Sequence, residues 1–335
     1  MKRIGLAGAG LVGRRHLDAL KRTQDLTLSA VLDPCLSADD PLPRVQSLQE
    51  LIAQSDGIIL ATPNDTHRPM AQEVLQAGIP VLVEKPLADT ADNARQIVQA
   101  AQTSGTPVLV GHHRRHNPLI AKAKEIVDSA ALGAITTVHG NCWLPKPDSY
   151  YAQSWRQATG AGPLFINLIH DVDVLMYLCG PIVAVQAFEA NTQRQAPAEE
   201  VVAATVRFAS GALGTLNLSD TALGPWSWEL TAGENPAYPK TDQSSYLIGG
   251  THGSLALPNL SVWSQQDGPD WWAPMSTTRY PVDSIDTLVA QLEHFGEVID
   301  GSVAPRVSAA DGLRAVAVID AIKQAAQTGQ TVTVE

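Results

Sequence analysis

The stretch Gly8-Ala9-Gly10-Leu11-Val12-Gly13 constrains this chain more than any other. It follows a short expected strand, residues 2–7, and opens a helical pattern carried by Leu17 and Leu20. In that strand-to-helix position each glycine has a reason. The first makes the tight turn, the second lets the backbone approach a pyrophosphate, and the third lets helix and strand pack closely. The helix N-terminus then faces the phosphates. The pattern alone is weak, but here the next strand, residues 26–32, ends in Asp33, twenty residues beyond Gly13. A carboxylate there can accept hydrogen bonds from an adenosine ribose. Strand, glycines, helix, strand and acid in this order predict dinucleotide binding by Gly8, Gly10, Leu11, Val12, Gly13 and Asp33.

The alternation continues. A helix is expected over 47–54, a strand over 57–61, a turn at Thr62-Pro63-Asn64, and a helix over 65–76 that Gly78 and Pro80 stop. A strand then leads into Glu84-Lys85-Pro86, a helix capped by Asp89 or Thr90 runs to residue 102, and 106–110 is a further strand. Strands and helices alternating at this spacing predict an α/β fold with a doubly wound parallel sheet. Ligands of such sheets bind beyond the carboxyl ends of the strands, which is where Lys85 falls. Pro86 biases Lys85 towards an extended backbone. His112 and His116 have helical spacing, but no cysteine or carboxylate joins them and Pro118 breaks the pattern, so no metal site is expected. Arg115 is placed near the cofactor cleft.

All 17 aromatic residues lie at or after Trp143, a split that points to two domains, here 1–118 and 119–335. In the second, a helix is expected over 119–129 and strands over 134–142, 182–190, 201–208, 213–218 and 228–231. Helices are expected over 285–299 and 309–326. These strands form an antiparallel or mixed sheet. The helix over 164–178 is apolar nearly all round and therefore buried. Asn167, His170 and Asp171 interrupt it on one side. Buried polar groups need partners. Those partners are either protein, which makes His170 a satisfied core residue, or a ligand.

The composition narrows the function. A net charge of −11 argues against nucleic acid or an anionic membrane as partner. No apolar run reaches the length of a membrane span, and no leader with a cleavage site is evident, so a cytoplasmic location is expected. Three widely spaced cysteines suggest neither a disulfide framework nor a thiolate zinc site.

Gly8-x-Gly10-x-x-Gly13, Asp33, Ala61-Thr62-Pro63-Asn64 with His67, Glu84-Lys85-Pro86, Trp155-Arg156 and the helix with His170-Asp171 occur in one order. That set resembles the glucose–fructose oxidoreductase/inositol dehydrogenase (Gfo/Idh/MocA) family over essentially the whole chain, including His294-Phe295 to Ala321-Ile322. The resemblance implies an N-terminal Rossmann domain and a C-terminal α+β domain with an open, mostly antiparallel sheet that mediates dimers or tetramers. It implies NAD or NADP, and oxidation of a secondary alcohol on a sugar, cyclitol or dihydrodiol. It makes Lys85 the group that polarises the hydroxyl and His170 the acid/base. Arg156 and Trp155 would lie near the nicotinamide, and Thr62, Pro63, Asn64, His67 and Glu84 along the cofactor. Many members carry an aspartate four residues before the histidine. That position is Ile166 here, so Asn167, one residue on, becomes the positioning group.

Trp143, Lys146, Tyr150, Tyr151 and Trp155 fall in the segment expected to line the substrate cleft, where aromatic faces suit sugar rings, although the seven tryptophans equally suit a core or a subunit interface. Two rival readings use the same fold: a non-catalytic NAD-binding sensor, and a glycosidase that uses NAD transiently.

Overall fold

The computed structural model describes residues 1–152, 154–157 and 160–334, with the backbone alone for residues 154 and 155. The chain divides into two compact units: Met1–His116 with Asp286–Val316, and Asn117–Ile285 with Ala317–Glu335.

The first unit is built on a five-stranded parallel sheet. Its elements are β1 (Lys2–Ala7), α1 (Leu11–Leu20), β2 (Leu26–Leu32), α2 (Leu48–Ala53), β3 (Gly57–Leu60), α3 (Asn64–Gln76), β4 (Val81–Val83), α4 (Ala91–Ser104) and β5 (Val108–Val110). The strand order is β2-β1-β3-β4-β5. Strands β3, β4 and β5 are buried throughout, as continuous apolar runs in a sheet covered on both faces must be. Local chemistry sets the helix ends. Ser47 Oγ accepts from Glu50 N, and Thr90 Oγ1 accepts from Asn93 N, so Thr90 is the cap of α4. Gly105, at φ 67°, ends that helix. A short 3-10 turn, His113–His116, follows β5.

The sequence boundary after Pro118 misses the return of residues 286–316 to this unit. The helix Thr287–Ile299 packs on α1 and on the His113–His116 turn. A Cβ on Gly57 would stand 2.5 Å from Ile299 Cδ1, so a residue without a side chain lets this helix close on β3. Val110 N donates to Val307 O at 2.9 Å, tying the returning segment to β5. A reading by contiguous stretches cannot see a segment that comes back from far along the chain.

The second unit carries α5 (Pro118–Asp128), β6 (Ile135–Trp143), α6 (Ile169–Cys179), β7 (Ile182–Ala190), β8 (Val201–Phe208), β9 (Leu213–Ser219), α7 (Trp228–Thr231), β10 (Tyr246–Gly250), β11 (Gly253–Leu257), β12 (Ser261–Ser264) and β13 (Ser276–Arg279). The helix returning to the first unit is α8. The chain ends with α9 (Ala309–Thr328), which contributes to both units, and β14 (Val332–Thr333). The sheet runs β13-β12-β11-β10-β6-β9-β8-β7-β14, antiparallel except for the β6–β9 pair. Along β8, Val202, Ala204, Val206 and Phe208 are buried while Ala203, Thr205 and Arg207 are exposed. That alternation gives one face to the core and leaves the other open.

Two expectations need correction. Residues 228–231 form one helical turn, not a strand, because Ser227 Oγ caps it by accepting from Leu230 N. The helix expected over 164–178 begins as a π-helical turn, Leu164–Leu168, before continuing as α6.

Candidate active site

The glycine loop is closed by contacts that only hydrogen allows. Gly8 has φ 89°, and a Cβ there would stand 2.4 Å from Ala61 O. A Cβ on Gly13 would stand 2.0 Å from Gly8 O. Gly10 differs, since its Cβ would meet nothing within 4 Å. Leu11 and Val12, in the first turn of α1, are 79% and 40% exposed. Asp33 Oδ2 accepts from Ala9 N at 2.6 Å and Oδ1 from Cys35 N at 2.7 Å. The carboxylate is thereby fastened to the loop, with lone pairs left for further donors. An open approach at Gly10, uncovered apolar side chains beside it and an anchored carboxylate at the end of β2 fit a dinucleotide.

Thr62, Pro63 and Asn64 lie where β3 gives way to α3, with Pro63 as its cap residue. Asn64 is exposed. His67 is buried, and its ring nitrogens lie 3.0 Å from Pro86 O and 3.0 Å from Thr62 O. Burial pushes this imidazole below its usual pKa, against the pull of the two carbonyls. His67 therefore clamps the loops after β3 and β4 together.

Glu84 and Lys85 follow β4 directly, and the Lys85–Pro86 bond is cis. Lys85 is half-buried and Glu84 buried. His16 Nε2 donates to Glu84 Oε1 at 2.6 Å, and Lys85 N donates to Oε2 at 3.1 Å. Burial raises the Glu84 pKa, but the His16 hydrogen bond and the charges of His16, Lys85 and His113 outweigh it and hold the carboxyl at about 2. Arg115 is buried, with Nη1 3.7 Å from Asp311 Oδ2.

In the second unit the π-turn carries Asn167, and the first turn of α6 carries His170 and Asp171, all three buried. Asn167 Oδ1 has no hydrogen-bond partner among the described residues. π-turns concentrate at functional sites. Tyr246 O–H donates to Asp171 Oδ1, and the Tyr246 ring stacks on Trp228.

The aromatic segment after β6 is more ionic than its sequence suggests. Tyr151 O–H donates to the buried Asp220, which also accepts from Arg194 Nη2. Arg194 lies over the Tyr151 ring, 4.0 Å from its centre. Burial and the Asp220 charge push the Tyr151 phenol far above its ordinary pKa. Lys146 Nζ stands 3.9 Å from Asp220 Oδ2, and burial lowers its pKa. Trp143 Nε1 donates to Asn217 Oδ1. Arg156 lies 4.0 Å over the Tyr150 ring and donates to Tyr150 O. The Trp155 side chain lies outside the described residues.

Within the first unit the structure gathers the glycine loop, Asp33, His67, Glu84 and Lys85. Within the second it sets Asn167, His170 and Asp171 on one short stretch and gathers Tyr151 with Asp220 and Arg194. The sequence gives no sign of His16, Arg194, Asp220 or Tyr246, because their partners lie far away along the chain. Asp173, 0% exposed on α6, is also missed, although a charge on so apolar a helix is a visible signal.

Comparison with known proteins agrees over most of the length. An oxidoreductase-family model, an NAD-binding Rossmann fold, matches residues 2–112, and a Gfo/Idh/MocA C-terminal domain model matches residues 120–256. A 1,5-anhydro-D-fructose reductase of Ensifer adhaerens is 25% identical over 100% of this chain and 99% of its own. An inositol 2-dehydrogenase of Corynebacterium glutamicum is 29% identical over 53% of this chain and 54% of its own. In fold, the chain matches the WlbA dehydrogenase of Bordetella pertussis, crystallised with NADH and UDP-GlcNAcA. The TM-score is 0.78 at 24% identity, covering 99% of this chain and 98% of that one.

Proposed function

The chain belongs to the Gfo/Idh/MocA family of NAD-binding oxidoreductases, and from that premise we propose that it oxidises a secondary alcohol of a sugar, cyclitol or related polyol. The observation that carries the reading is Lys85 at the carboxyl end of β4, in the same unit as the glycine loop and held to Glu84 by its own N–H. Bound NAD supplies the two-electron acceptor. The protein supplies position and charge. Gly8, Gly10, Gly13, Asp33 and the Thr62–Asn64 turn would hold the cofactor. Lys85 donates to the substrate oxygen as negative charge develops there. His170 takes the hydroxyl proton, and Asn167 orients the hydroxyl. The purified protein, offered NAD with myo-inositol, aldoses and sugar acids in turn, is expected to form NADH with at least one. No turnover with any of them, in protein that binds NAD, would leave a binding protein in place of an enzyme.

The cofactor preference follows from Asp33. Its charge repels a 2′-phosphate, and the residues after it, Pro34 and Cys35, bring no cation. Arg14 is engaged, pairing with Asp40 and donating to Ala9 O. NAD is expected to bind at least about tenfold more tightly than NADP. Titration of both into the apo protein checks this, and equal affinities would remove Asp33 from the ribose.

The open sheet face supports a homo-oligomer, dimer or tetramer. Leu247, His139, Thr215, Thr205 and Gln186 form one exposed row across five strands. Phe188 and Leu213, 70% and 59% exposed, add apolar area to the same sheet. Light scattering at about micromolar concentration is expected to give a multiple of the chain mass, and Phe188→Lys to lower it. Among the described residues no helix is long and apolar enough to cross a membrane, and a cytoplasmic location belongs to the same reading.

A further inference from the structure

His16 takes no part in the proposed chemistry, yet it is 1% exposed and makes one of the shortest hydrogen bonds of the first unit. It sits on α1, three residues past the last glycine of the loop. Its partner Glu84 is 68 residues away. Burying a carboxylate is costly unless donors meet it. Glu84 meets two, on opposite sides: His16 Nε2 at Oε1 and the Lys85 backbone N–H at Oε2. Space for the group is reserved as well. A Cβ on Gly111 would stand 2.9 Å from Glu84 Cδ and 3.0 Å from Oε2.

We propose that His16 is a positioning residue, which locks the Glu84 carboxylate beside Lys85 so that Glu84 fixes both the place of Lys85 and the charge on its ammonium. This rests on the reading of Lys85 as the group that polarises the hydroxyl, and it deepens that reading. A fixed anion beside a lysine favours the ammonium form. Lys85 then acts as a donor to the developing oxyanion, and the proton is left to His170. The titratable groups facing Glu84 are His16 from α1, His113 from the turn after β5, and Lys85 itself. The same geometry links the helix of the glycine loop to the residue after β4, so one hydrogen bond sets Lys85 in register with the cofactor-binding loop.

The test reads Lys85 directly, in the full-length apo protein. Competitive acetylation by acetic anhydride over a pH series, followed by peptide mass spectrometry, gives the pH midpoint of Lys85 reactivity, with the exposed Lys240 as reference. Glu84→Gln keeps the shape and removes the charge, and it is expected to lower the midpoint by about one unit or more. His16→Leu is expected to move it in the same direction. His16→Gln, which keeps an N–H donor, is expected to stay with the wild type. If His16→Leu does not fold, His16→Asn, whose amide is too short to reach Oε1, takes its place. An unchanged Lys85 midpoint in folded Glu84→Gln overturns the charge role. A shift in Glu84→Gln with none in the His16 variants overturns the positioning role. Neither result depends on turnover, so failure here is separate from failure of the proposed dehydrogenase, which Lys85→Ala kinetics decide.

Discussion

Replacing Lys85 or His170 with alanine is expected to lower kcat by about a hundredfold or more, with the Kd for NAD changed by less than about threefold. The two residues are proposed to do different work on one hydroxyl. When hydrogen leaves the carbon, the hydroxyl proton must also depart and the oxygen gains negative charge. In the proposed mechanism Lys85 answers the charge and His170 the proton. Losing either removes stabilisation made in the transition state, so kcat falls while binding of the cofactor does not. The pH dependence separates the two roles. A histidine that accepts a proton must begin neutral, so kcat/KM falls as pH drops through its pKa, near 6.5 for an unperturbed imidazole. A His170→Gln enzyme is expected to lose that lower-pH limb. His170 is 7% exposed, so His170→Ala also risks the core of the second unit. A folded His170→Gln enzyme with full activity would make His170 a packing residue. That outcome is the one that defeats the assignment.

The first unit was legible because its local signals agree. Apolar runs, cap residues and glycines each specify the same parallel sheet. The second unit was legible only where the two-residue alternation is strong, as in β7 and β8. The pair β10 and β11 escaped because Gly249, Gly250 and Gly253 break the alternation and read as a loop. Strand β13, Ser-Thr-Thr-Arg and exposed throughout, has no buried face to mark it. Residues 228–231 have strand-like composition, yet the Ser227 cap outweighs propensity over four residues.

The site divides in the same way. The glycine loop, Asp33 and Lys85 are visible because each sits at a fixed offset from a strand end. The partners that hold them are not, since His16–Glu84 and Tyr151–Asp220 join residues 68 and 69 apart. Short-range periodicity carries no information at that distance. The π-turn at Leu164–Leu168 is hidden for another reason. Its residues are as apolar as those of any buried α-helix, and only the backbone shows the wider turn.

Gly10→Ala and Gly13→Ala are expected to damage the protein in different ways, although the two glycines are three residues apart. At Gly13 the new methyl would stand 2.0 Å from Gly8 O, well inside van der Waals contact. Helix α1 must move off the loop, and such overpacking costs about 1–3 kcal/mol of stability. The shift also displaces the backbone N–H groups that would face the phosphates of a bound cofactor. Hydrogen bonds to a charged group contribute about 1.5–3 kcal/mol each, so losing one or two weakens NAD binding by about a hundredfold. At Gly10 the new methyl meets nothing within 4 Å of protein. The apo protein should therefore keep its Tm to within about 1 °C. The methyl instead stands where a pyrophosphate would approach the backbone, and NAD affinity should fall by about tenfold or more. Thermal melts of the apo proteins beside NAD titrations separate the two cases. If Gly10→Ala binds NAD as the wild type does, the open space at Gly10 is not the route of the cofactor, and the loop serves only to pack α1 against β1.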